Sequence, residues 1–113
     1  MQSGQGIGAA AERAVFTAGT IVLVTLNNPR EKFWGAMLDV TPAGISIRGI
    51  DLNSFDDFIA QLRAGEHVGP AAVFFPMHRV ERVELDVRNG EIPSLQERFT
   101  DKCGRSPASL LGE

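Results

Sequence analysis

The sequence predicts a mainly β domain: a small, strongly bent, five-stranded antiparallel barrel with three helices. One helix precedes the strands, one is inserted between the third and fourth, and one follows the fifth. Three observations carry this expectation. Five short segments rich in Val, Ile and Phe are separated by turns of Gly, Pro and Asn. Two stretches switch to helical spacing just after a Ser with an acidic residue three positions on. A flat sheet of such strands would expose its edges, and strong bending limits that exposure.

Residues 9–18, AAERAVFTAG, are Ala-rich and predict two or three helical turns that stop at Gly19. The first strand is TIVLVTLN (20–27). Val22, Val24 and Leu26 lie on one face and Ile21 and Leu23 on the other, so it is expected to be buried on both sides. NNPREK (27–32) is turn chemistry. FWGAMLDVT (33–41) is the second strand, and Gly35 marks a bend or a close backbone approach. After the tight turn Pro42-Ala43-Gly44, ISIRGIDL (45–52) forms the third strand. The alternation of Ile45 and Ile47 slips to Ile50 and Leu52, which predicts a bulge at Gly49.

The inserted helix spans 54–64, with Ser54 and Asp57 resembling a capping box and Phe55, Phe58, Ile59 and Leu62 forming its apolar stripe. A Gly-rich loop (65–70) leads to the fourth strand, AAVFFP (71–76). The fifth, HRVERVELDVR (78–88), sets Val83, Leu85 and Val87 against Arg82, Glu84, Asp86 and Arg88 on the solvent face. A second capping box, Ser94 with Glu97, starts a helix carrying Leu95, Phe99 and Cys103 on one side. SPASLLGE (106–113) reads as a frayed tail.

The chain has 113 residues, of which 43% are apolar and 22% charged, enough for one domain (9–104) with flexible termini (1–8 and 105–113). Its net charge is −3, and residues 20–87 hold 9 acids against 6 bases, so the whole deficit lies within the expected barrel. That balance excludes a binder that blankets phosphates with positive charge and leaves room only for a local basic pocket. A single cysteine excludes a disulfide framework and a Cys-rich zinc site. No run of 18 apolar residues and no signal-like amino terminus is present, so no membrane partner is expected and the cytoplasm is the default location.

A short helix and five strands with a break after the third resemble the Sm-like family, whose barrels are SH3-like and which includes the bacterial RNA chaperone Hfq. VLVTLNNPREKFWGAML (22–38) is similar to the family's first motif: an apolar strand, a polar turn, then Gly35 with Met37 two residues on. VFFPMHRVERVEL (73–85) is similar to the Hfq segment in which an aromatic strand enters a Lys-His turn, with His78 in place of that His. The helix at 54–64 would then be an insertion. Two departures bear on RNA. Thr41-Pro42-Ala43-Gly44 lacks the acidic and base-contacting residues of uridine-binding members, and Met77 replaces the Lys. The resemblance implies a homo-oligomeric ring in which strand four of one copy pairs with strand five of the next.

His78 and Arg79 occupy a strand-to-strand turn, where an Arg binds phosphate and a His stacks on a base. Against this stands a plain turn in which Arg79 pairs with Glu81. Arg48 and Arg30 are the assisting cations. Arg30, Lys32, Phe33 and Trp34 combine cations with aromatics, as stacking on single-stranded nucleic acid or an interface anchor requires. Phe33 and Trp34 point to opposite faces of a strand, so at least one is core. Phe33, Trp34 and Phe74 are the candidate interface residues.

Asp51, Asn53, Asp56 and Asp57 lack calcium-loop spacing, and capping explains them better. His67 and His78 have no third zinc ligand. Cys103 reads as a small buried hydrophobe. No nucleophile has a partner and no phosphate-binding or redox motif occurs, so neither a catalytic residue nor a cofactor is expected. Two functions follow as expectations: an Sm-like homo-oligomer that binds RNA or a nucleotide-like ligand, and a protein–protein scaffold on the same barrel.

Overall fold

A computed structural model describes residues 15–111. Strands β1 (Ile21–Leu26), β2 (Glu31–Thr41) and β3 (Gly44–Asp51) form an antiparallel meander. Helix α1 (Phe55–Arg63) follows, then β4 (Ala71–Pro76), β5 (Val80–Leu85), α2 (Leu95–Cys103) and α3 (Ala108–Leu111). The five strands make one sheet in the order β4-β3-β2-β1-β5. β4 pairs only with β3 and β5 only with β1, so the sheet is open rather than a closed barrel.

It is nonetheless strongly curled. Flat, the two edge strands would lie about 19 Å apart, four inter-strand spacings. They are joined by Met77–Arg79 alone, a single 3₁₀ turn that advances only about 6 Å. This turn bridges the two sides of the curl: Met77 N donates to Ala43 O and Asn27 N donates to Arg79 O, both at 2.8 Å. The inner face closes on Val22, Val24, Leu26, Met37, Ile45 and Ile47, with Val73 and Phe75 from one edge and Val80 and Val83 from the other.

Gly35 and Gly49 make the bend possible. They sit opposite each other in the β2–β3 register. A Cβ on Gly49 would lie 2.0 Å from Trp34 O, and one on Gly35 would lie 2.3 Å from Arg48 O. Neither contact can be relieved without moving backbone, so the expected close approach at Gly35 is present. The bulge expected at Gly49 is not. Register shifts instead between Met37 and Asp39, and again between Thr25 and Leu26 against β5. The parity slip in β3 has another cause: Ile45 and Ile47 face the inner core, whereas Ile50 faces a second core on the opposite side.

That second core lies under the helices. Trp34 and Ala36 from β2 meet Phe55, Phe58, Ile59 and Leu62 of α1, Phe99 of α2 and Leu111 of α3. The Trp34 ring sits edge-on to Phe55 at 5.2 Å and tilted against Phe99 at 5.6 Å between centroids. β1 thus has apolar neighbours on both faces, as its composition predicts.

Three further expectations change and one holds. The helix expected at 9–18 lies outside the described residues up to 14, and residues 15–18 form bends and turns rather than helix. The carboxyl-terminal segment is not a frayed tail as far as it is described, since α3 forms and Leu111 is 1% exposed. Ser54 occupies the first cap but makes no side-chain cap bond; Asp51 Oδ1 instead accepts from Asn53 N at 2.8 Å in the preceding 3₁₀ turn. The Ser94–Glu97 capping box forms in full, with Ser94 N donating to Glu97 Oε1 at 2.7 Å and Glu97 N to Ser94 Oγ at 3.0 Å.

Candidate functional site

The polar turns at one end of the curl bring Arg79, Arg30, Glu31 and Glu81 together. Arg79 is a structural tie. Its Nε donates to Asn27 O at 2.9 Å, one terminal nitrogen donates to Pro29 O at 2.8 Å, and that nitrogen lies 3.7 Å from Glu31. The guanidinium therefore fastens the 3₁₀ turn to the β1–β2 turn. The expected Arg79–Glu81 pair is absent, because Glu81 pairs with Arg30 at 3.2 Å. His78 is exposed on the same turn. Arg48 lies across the sheet on the outer face of β3, remote in register from that turn. His78, Arg79, Arg48 and Arg30 do not form one site.

The aromatic candidates separate as well. Trp34 is fully buried, so it is core and has no surface with which to anchor a partner. Phe33 points into the inner core and packs edge-to-face on Phe75 with centroids 5.2 Å apart. Phe74 alone remains at the surface, 52% exposed on the outer side of edge strand β4.

A residue assigned above to the solvent face carries the most demanding local geometry. Asp86, 7% exposed, accepts from Trp34 Nε1 at 2.9 Å, from Leu95 N at 2.8 Å and from Gln96 N at 2.8 Å. Gln96 Nε2 returns a bond to Asp86 O at 2.9 Å. One carboxylate thus satisfies the indole and two free amides of the α2 amino terminus, where the helix dipole favours an anion. Sequence alternation hides this because Asp86 keeps to the Glu84 side of the strand, the side shared with Ile21 and Leu23, and that side lies under the helices at Asp86 rather than in solvent, while Val87 beyond the strand end is exposed. The available signal was the Asp lying a short turn before a capping box.

Next to it, the Ser94 backbone N–H, followed by the Arg88 guanidinium 3.2 Å away, holds the Glu97 carboxyl below its ordinary value; desolvation opposes them.

Several hollows accompany these features, one of about 410 Å³ beside Asp86 and Leu95 and one of about 260 Å³ at Arg30 and Lys32. An apolar groove of about 240 Å³ opens at the mouth of the curl between Phe16, Val40, Met77 and Val80. A larger polar hollow of about 610 Å³ lies by Arg88, Gln96, Arg98 and Ser106, away from every candidate residue. Among the described residues no group of three or more His, Cys, Asp and Glu side chains could hold a metal ion, and no helix is long and apolar enough to cross a membrane. Cys103 is partly buried against the helix-side core. Comparison with protein-family models, with curated proteins and with solved structures finds no match.

Proposed function

We propose that this chain is an Sm-like subunit of a cytoplasmic homo-oligomer, built by adding β4 of one copy to β5 of the next. In this reading RNA or a nucleotide-like ligand binds at exposed strand and turn residues. The observation that carries the reading is the pair of open edges. Strand order β4-β3-β2-β1-β5, with the edges brought together by a three-residue turn, leaves one unpaired strand on each side of the same curled sheet. Both edges are six residues long, and β4, with sequence AAVFFP, carries no charge to guard it. An uncharged open edge invites strand addition, and a second copy supplies a matching edge.

For the ligand, the exposed His78 and Arg30 and the half-buried Arg48 are available, while Arg79 acts through the turn it holds. The scaffold reading is the alternative. It is favoured by the acidic excess of residues 20–87 and by the commitment of Arg79 to backbone carbonyls.

Light scattering on the full chain tests the assembly, with a mass of several 12.2 kDa units expected. A monomer at micromolar concentration would overturn it. Titration of short U-rich and A-rich RNA at low and moderate salt separates the two readings. Binding that weakens with salt supports the first, and an oligomer that binds neither RNA even at low salt leaves the scaffold.

A further inference from the structure

We infer that the outer face of β3 and β4 is a docking surface for single-stranded RNA, with a base stacked on Phe74 and a phosphate held by Arg48. The inference rests on the RNA part of the reading above and moves its centre from the turn to the face. Val73 and Phe75 point into the inner core, so Phe74, between them, points outward. Its ring lies over Gly44: a Cβ there would meet the ring carbons Cζ at 2.6 Å and Cε1 at 2.9 Å. The glycine therefore seats one side of the ring on the sheet, and 52% of the residue remains in solvent. An aromatic ring fixed in this way is a stacking platform that needs no reordering on binding.

The register places the rest of the surface. Phe74 is opposite Ser46 and Arg48 is opposite Ala72, so the two residues occupy diagonal positions on one face, about 7–8 Å apart at the backbone, with the ring leaning toward Gly44 on the side away from Arg48. Ala72, exposed beside both, is too short to cover the space between them. Arg48 makes no ion pair among the described residues, in contrast to Arg30, Arg79, Arg82 and Arg88. Asp39 stands opposite Ser46 on the same face. Its charge repels phosphate from that side, so the strand's backbone runs along the Arg48 side with its bases toward the ring. Adding a strand to the free edge of β4 occupies the edge and leaves this face open, so the surface is compatible with the assembly proposed above.

The probes are ten-nucleotide oligoadenylate and oligouridylate RNA, read by fluorescence anisotropy at 50 and 150 mM salt, beside light scattering of each variant. Phe74→Leu keeps an apolar cover on Gly44 but has no π face, and is expected to weaken binding of both probes about 5- to 100-fold. Arg48→Gln should reduce the salt slope by about one. His78→Ala should weaken binding less than Phe74→Leu does. If His78→Ala removes binding while Phe74→Leu and Arg48→Gln do not, the inference fails and the turn remains the RNA site. If the wild-type oligomer binds neither probe at 50 mM, the inference and the RNA reading fall together. If the wild type is monomeric yet the Phe74 and Arg48 effects appear, the assembly reading falls and this surface stands.

Discussion

On its outer side the β1–β2 part of the sheet is covered by three helices, one inserted after β3 and two that follow β5, whereas on its inner side the sheet is covered only by its own curl. The outer core is sealed by polar chemistry at one point: Asp86 satisfies Trp34 Nε1 and two amides of α2, and so fixes where the carboxyl-terminal helices dock. The inner core is clasped only at its mouth, where Arg79 ties the 3₁₀ turn to the carbonyls of Asn27 and Pro29. It depends on two glycines that let β2 and β3 approach and on a three-residue turn that draws the edges together. A curled sheet can bury aliphatic residues without help because its backbone polar groups are already paired. A helix brought to a sheet carries unpaired amides at its end that need an acceptor.

The sharpest way to break this contrast is Asp86→Ala. It strands the indole N–H and two helix amides, and is expected to cost about 3–4 kcal/mol of unfolding free energy in a denaturant titration. Coupling with Trp34→Phe, which removes one of the three donors, should make the double mutant less damaging than the sum of the singles. An additive pair, or a loss under about 1 kcal/mol, would show that apolar packing alone holds the helices. Gly49→Ala attacks the inner face. Its Cβ meets backbone rather than a flexible side chain, so a loss of about 2–3 kcal/mol is expected. A neutral result would mean that the curl has slack.

Smaller effects sharpen the account of the helix ends. Ser94→Ala removes a formed cap and should cost about 1 kcal/mol, whereas Ser54→Ala removes no cap bond and should change stability by less than about 0.3 kcal/mol. The pH dependence at Glu97 is the smallest. Its folded pKa is lowered, so its contribution is present above its unfolded value and is lost as pH falls through the folded one. The stability gap between wild type and Glu97→Gln should therefore narrow below about pH 4.5. A gap that stays constant to pH 3 or below would remove the carboxylate from the cap's energetics.

Much of the architecture is legible in the residues. The five strands, the inserted helix with its Phe55–Leu62 stripe and the Ser94–Glu97 box follow from local spacing, since each depends on neighbours within about one turn or one strand. The candidate site was less legible. Arg79 and Trp34 are residue types that serve ligands and interfaces, and both proved to be internal ties. Their partners, Asn27 and Asp86, lie 52 residues away in each case, beyond the reach of any local pattern.

Composition and periodicity by themselves determined a mainly β chain with an acidic excess in residues 20–87, one cysteine and apolar groups on both faces of its first strand. Tertiary structure decided which face each apolar group joined. It turned Ile50 toward the helices, buried Asp86 and left Phe74 outside. The physical reason is that burial and hydrogen-bond satisfaction are settled between segments distant in sequence, and alternation along one strand names two faces without naming what covers them.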